Sequence, residues 1–272
     1  MANSYVIHTY ESLDPFLEQC DRSPFDNTCS SIKSEGYDWD RGLNYAAIRN
    51  AAVYGHEIST SGLEVARAKI KLAPIEIIDA ELSIEGAVPD IATYLQGLPE
   101  CMLSFTPAVR PVQVVTIRYS VSYPYYVEAE TIYARGAAIC AAVDAIEAQR
   151  VRASLYATEI VRSSYGRYMI VETCIKSADQ PLDMGRVAAT THPAFLRRLL
   201  FAHEEAEPQP IRKEFGFYKN GSYGYVDDLP DDAPLSSPAD YYVPTLRATT
   251  ATEAIAQVFT AIPVERITAD NR

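Results

Sequence analysis

The stretches PVQVVTIRYSVS (111–122), YARGAAICAAVDAIEAQ (133–149), VRASLYATEIV (151–161) and YMIVETCIK (168–176) decide the fold. The first, third and fourth are rich in β-branched residues and predict strands. In the second, Ile139, Val143 and Ile146 share one helical face. A strand, a helix long enough to cross over and a second strand make a βαβ unit, normally right-handed with parallel strands. Tyr165-Gly166-Arg167 then forms a turn, and the last strand pairs with its predecessor. The expected class is a mixed α/β fold, with a βαβ-containing sheet flanked by helices, and not an OB barrel.

Outward from this centre, SYVIHTY (4–10) predicts a strand, and Ser12 with Asp14-Pro15 opens a short helix. Residues 21–40 read as a polar loop. Leu43 to Tyr54 predicts a helix stopped by Gly55, and Ser61-x-x-Glu64 is a capping box before VARAKIKLA. Ile75 to Ile78 reads as a strand, and Pro89 to Leu95 as a helix closed by Gly97. Downstream, Thr191 can cap a helix running HPAFLRRLLFAHEEAE. FGFYKNGSYGYV reads as a hairpin whose Asn220-Gly221 favours a type I′ turn. Thr250-x-x-Glu253 caps a final helix, AIAQVFTAI. These elements divide into an N-terminal region (1–97), a central α/β core (98–206) and a C-terminal region (207–272), together expected as one compact unit.

The 272 residues are 48% hydrophobic and 22% charged, which excludes a disordered chain, a collagen or a coiled coil. No apolar run approaches the roughly 20 residues of a membrane span. The opening MANSYVIHTYESLD has neither a basic nor an apolar signal region, so no secretion signal is expected and a cytoplasmic setting fits. Five cysteines at 20, 29, 101, 140 and 174 make no regular framework. A net charge of −12 argues against a histone-like binder of nucleic acid, but a local basic groove survives it because exposed charges are screened beyond about 8–10 Å.

Chemistry-bearing motifs are sparse. His8, His56, His192 and His203 are scattered, and no zinc spacing, Walker loop, dinucleotide fingerprint or nucleophile elbow occurs. His203, followed by Glu204 and Glu205, is the best metal candidate and a weak one. The chain therefore reads as a non-enzyme with no catalytic residue, no cofactor and no metal.

Tyrosine is the compositional oddity, with 19 against 8 Phe and 1 Trp. Two stretches mix rings with cations: Arg162, Tyr165, Arg167 and Tyr168 in the first, and Arg212, Lys213, Phe217, Tyr218, Lys219 and Tyr223 in the second. Cations that track phosphates and exposed rings that stack on bases are what single-stranded nucleic acid requires. Alternate rings in a strand also serve as core, and both readings stand. The acidic DDLPDDAPLSSPADYYVP that follows reads either as a solvated linker or as a tail that competes for the basic groove and engages partners.

Two resemblances follow from these residues. Arg118-Tyr119-Ser120-Val121-Ser122, with the helix and strand after it, resembles the start of a von Willebrand A-like domain, which places an Asp-x-Ser-x-Ser metal motif there. Arg118 stands where the aspartate would be, so a core of this kind is degenerate at its first ligand, and Arg118 with the two hydroxyls is suited to an anion. The blocks GLPECMLSF, ARGAAICAAVDAIEAQRVRASL and THPAFLRRLLFAHEE resemble the single-stranded-DNA-binding RNA polymerase cofactors of lytic bacteriophages. That resemblance, over residues 95–205, implies a viral DNA-binding protein outside the OB class that recruits a viral RNA polymerase to opened DNA. Its partners would be single-stranded DNA and the polymerase, with a homo-oligomer also admitted and no membrane. The alternative is a phage interaction or structural protein with a degenerate von Willebrand A-like core and no nucleic acid.

Overall fold

The computed structural model describes residues 4–24, 43–58, 60–70, 80–86, 88–105, 113–217 and 223–269. The chain divides into two compact units, one of residues 1–71 with 113–272 and a smaller one of residues 72–112. The sequence-drawn division at 97/98 falls inside the small unit, and that at 206/207 inside the large one.

The large unit is built on β1 (Tyr5–Tyr10), β5 (Val114–Ser120), β6 (Arg152–Arg162), β7 (Tyr168–Lys176) and β9 (Tyr241–Val243), hydrogen-bonded in the order β1-β7-β6-β5-β9. The pairs β5/β6, β5/β9 and β1/β7 are parallel, and β6/β7 is antiparallel. A two-residue strand, β8 (Tyr225–Val226), pairs with the end of β6. The βαβ unit and the return strand stand as the alternation of β-branched residues predicts, and the class is a mixed α/β fold.

The crossover helix α5 (Ala129–Ala148) begins a turn earlier than its sequence pattern suggests and is buried on nearly every side. Its alanines let neighbours close in all round, so no single apolar stripe forms. Gly136 is required there, because a Cβ would collide with the Thr191 hydroxyl. Against α5 lie α3 (Thr60–Arg67), α6 (Met184–Thr190), α9 (Ala251–Ala261) and α10 (Val264–Ala269). The Thr250 side chain accepts from the Glu253 amide and Glu253 reaches back to the Thr249 amide, close to the predicted cap. The other helices of this unit are α1 (Leu13–Cys20) and α2 (Tyr45–Tyr54).

The helix expected after Thr191 takes another form. Asp183 caps α6 by accepting from the Arg186 amide, and Thr191 ends that helix instead of starting one. A π-helical turn over Phe195–Leu200 follows, then α7 (Phe201–Glu205) and α8 (Gln209–Phe215).

The hairpin reading of 215–226 is overturned. Arg212, Lys213 and Phe215 are helical, and Gly216 (φ 79°) ends α8, with the Gly216 and Phe217 amides both donating to the Arg212 carbonyl. The Gly224 amide donates to the Phe215 carbonyl, and Tyr225–Val226 pairs with β6 and not with Phe215–Phe217. Asn220-Gly221 and the predicted strand at 75–78 lie outside the described residues.

In the small unit, β2 (Ala80–Ser83), β4 (Met102–Phe105) and β3 (Val88–Pro89) form an antiparallel sheet in the order β2-β4-β3, with α4 (Ile91–Leu95) capped by Asp90. No described helix is long and apolar enough to cross a membrane.

Candidate functional site

Strand alternation sorts the large sheet's polar residues onto two faces. Arg118, Tyr156, Cys174 and Tyr242 fall in register on one, as do Thr158 and Glu172. His8, Val171 and Glu159 align on the other.

On the first face, Arg118 is fully buried and donates from Nε to Glu172 Oε1 at 2.5 Å. Its Nη2 reaches the Ser236 and Ser237 hydroxyls at 3.3 and 3.2 Å, and its guanidinium lies 4.9 Å from the Tyr156 ring centre. The Ser236 amide donates to Glu172 Oε2. The acidic Pro-rich stretch is therefore no solvated linker. It lies across this face, tied further by Tyr5 to Asp232, Asp240 to the Thr116 amide, and the Leu229 amide to the Tyr242 hydroxyl. The anion that Arg118 meets is Glu172. Ser120 is bonded instead to Thr245, and the Ser122 hydroxyl faces the Ile160 amide.

The ten sequence-picked residues separate. The β6–β7 turn carries Tyr165, 84% exposed, between Arg162 and Arg167. Arg162 Nε is paired with Asp227 Oδ2 at 2.8 Å, and Arg167 Nη1 with Glu214 Oε2 at 3.1 Å. Tyr168 stacks on Tyr5 at 5.8 Å. The Arg167–Glu214 pair brings α8, with half-buried Arg212 and exposed Lys213, to this end of the sheet. Phe217 and Tyr223 are not surface rings. Phe217 stacks on Phe215, and Tyr223 stacks on Phe201 at 4.1 Å while donating to Glu205. Apolar burial of the rings outweighs any demand of an exposed groove. Tyr218 and Lys219 lie outside the described residues.

The second face meets α7, whose His203, Glu204 and Glu205 are all buried, as is Glu207 beyond it. His203 lies 5.0 Å from His8 between ring centres, and its Nε2 is 2.8 Å from the Tyr10 hydroxyl. Phe16 stacks on it. His8 Nε2 is 3.1 Å from Glu207 Oε1. Glu205 accepts from Ser23 and Tyr223. Glu204 and Glu159, wholly buried, have no hydrogen-bond partner among the described residues. Burial pushes Glu159 up to about 8, and burial together with Glu159, Glu205 and Glu207 pushes Glu204 well up. Burial, then His8, pulls His203 down to about 3, so its imidazole is neutral. The scattered histidines are thus paired in space, for His56 and His192 also meet, at 4.8 Å.

Residues 2–267 match a family described as a domain of unknown function, DUF7192. The chain belongs to this family. No curated protein and no solved structure matches it.

The DUF7192 match spans both faces of the sheet. Of the buried cluster, sequence reasoning flagged only His203, Glu204 and Glu205. His8, Tyr10, Glu159 and Glu207 were missed, because no local motif joins a strand at residue 8 to a helix at residue 203. The available signal was the placing of His203-Glu204-Glu205 directly after LLFA, the apolar end of the helical stretch FLRRLLFA.

Proposed function

We propose that the protein binds single-stranded DNA at the sheet end formed by the β6–β7 turn, and that it acts there as a cofactor of a viral RNA polymerase. The polymerase half of this reading rests on the resemblance alone. The DNA half is supported by one observation: the two cation–aromatic stretches converge through the Arg167–Glu214 pair. Arg162 and Arg167 then flank exposed Tyr165 in the turn, α8 carries Arg212 and Lys213 to the same end of the sheet, and Tyr225, 55% exposed, lies opposite Arg162 in the β6–β8 register. The Arg162–Asp227 pair is partly open to solvent, where such pairs are worth about 0–1 kcal/mol, so Arg162 can exchange a carboxylate for a phosphate at small cost.

Fluorescence anisotropy with a labelled single strand and its matched duplex tests this. Tyr165→Ala should weaken single-strand binding about 5- to 100-fold with the salt dependence unchanged, because stacking releases no counterion. Arg162→Ala with Arg167→Ala should flatten the salt dependence by about 0.7 in slope per lost phosphate contact. Equal affinity for duplex and single strand, or wild-type binding by both variants, overturns the reading in favour of an interaction protein without nucleic acid.

A further inference from the structure

One ring nitrogen of His8, one of His203 and one carboxylate oxygen of Glu207 lie within 4.8 Å of one another. We propose that these three side chains bind one divalent first-row transition-metal ion, with zinc as the reference case. Two imidazoles and a carboxylate are a donor set suited to zinc, with a fourth position left for water or another ligand. Bonds of about 2.0–2.2 Å place tetrahedral donors about 3.4 Å apart. His8 Nε2 and Glu207 Oε1 already stand at 3.1 Å. The other separations, at most 4.8 Å, need to contract by no more than about 1.4 Å.

Three further observations point to a cation. His203 is completely buried, its Nε2 is engaged by Tyr10, and its Nδ1 has no partner among the described residues. With Nε2–H donated to the Tyr10 oxygen, Nδ1 carries a free lone pair, and metal-bound imidazoles are held by such a partner on their other nitrogen. Next, Glu204, beside His203 on α7, and Glu159, in register with His8 across Val171, are buried acids without a hydrogen bond among the described residues, an arrangement that calls for an unseen partner. Finally, the His8 side chain is 26% exposed on the edge strand β1, which gives an ion access from solvent. None of these residues belongs to the sheet end proposed for DNA.

The test uses the full chain, stripped with a chelator and dialysed. Co²⁺ titration followed by visible absorption, and Zn²⁺ titration by calorimetry, should each give one ion per chain, with Zn²⁺ displacing Co²⁺. His8→Gln, at a partly exposed position, should keep the melting temperature of the stripped wild type and lose at least 100-fold in affinity. Glu207→Gln should do the same, and Tyr10→Phe should lose about tenfold. Tyr165→Ala should bind the ion as wild type does, which separates this site from the DNA surface. Absence of stoichiometric binding at micromolar ion, or wild-type affinity in a folded His8→Gln protein, overturns the proposal.

Discussion

The two faces of the large sheet bury charge in opposite ways. On one, Arg118 and Glu172 form an ion pair in which both carboxylate oxygens accept hydrogen bonds and the Arg118 Nη1 alone of the pair's polar atoms has no partner among the described residues. On the other, Glu159 and Glu204 have no hydrogen bond among the described residues, and His203 leaves one nitrogen unused. On the first face the chain pairs a buried ion with its opposite and folds a Pro-rich segment over both. The proposed ion site lies against the face where the buried acids have no such counter-charge. Buried charges paired with their opposites fix a structure, whereas buried titratable groups left short of partners are candidates for a binding site.

The sharpest way to break this contrast is to unpair the first face. Glu172→Ala strands the Arg118 guanidinium and should cost about 3–5 kcal/mol in denaturant unfolding, while Arg118→Met with Glu172→Leu should recover most of it. A single variant no less stable than the double would remove the distinction. The second face should respond to pH. Folding raises Glu159 from 4.5 to about 8, so the folded chain holds a proton that the unfolded chain has released. That stability is complete below about pH 4.5 and is lost as pH rises through about 8. Metal-free Glu159→Gln should therefore exceed wild type by about 2–4 kcal/mol near pH 8–9, with the gap closing by pH 5 in parallel thermal melts. A smaller effect falls on the covering segment, where Ser236→Ala with Ser237→Ala should cost about 1 kcal/mol per lost hydrogen bond. Smallest of all, Tyr165→Ala should shift stability by less than about 0.5 kcal/mol, which makes it a clean probe of binding.

The central βαβ unit was legible because strand and helix periods are local properties of the sequence. Thr250-x-x-Glu253 and Gly55 marked their helix ends for the same reason. Phe217 and Tyr223 were not legible, because rings destined for a core and rings destined for a base look alike until the chain is folded. The Pro-rich segment misled in the other direction. Its acids suggested solvent, yet its serines and amides answer Arg118 and Glu172, residues more than 60 positions away. His8 and Glu207 stood apart in the sequence, and only the parallel placing of β1 beside β7 brings the first histidine under α7.

The π-helical turn at Phe195–Leu200 has a consequence for how this cluster is aimed. Such a turn amounts to one extra residue spliced into an α-helix. Each residue advances an α-helix by about 100°. Winding FLRRLL into ordinary α-geometry with no residue removed would swing His203 and Glu204 about 100° around the axis, off the strands that carry His8 and Glu159, whereas deleting one residue there would remove the irregularity and keep their bearing. The bearing of the imidazole is thus set by a counting irregularity one turn upstream, and a change that wound that turn regularly at constant length would disarm the cluster while keeping every one of its side chains in the sequence.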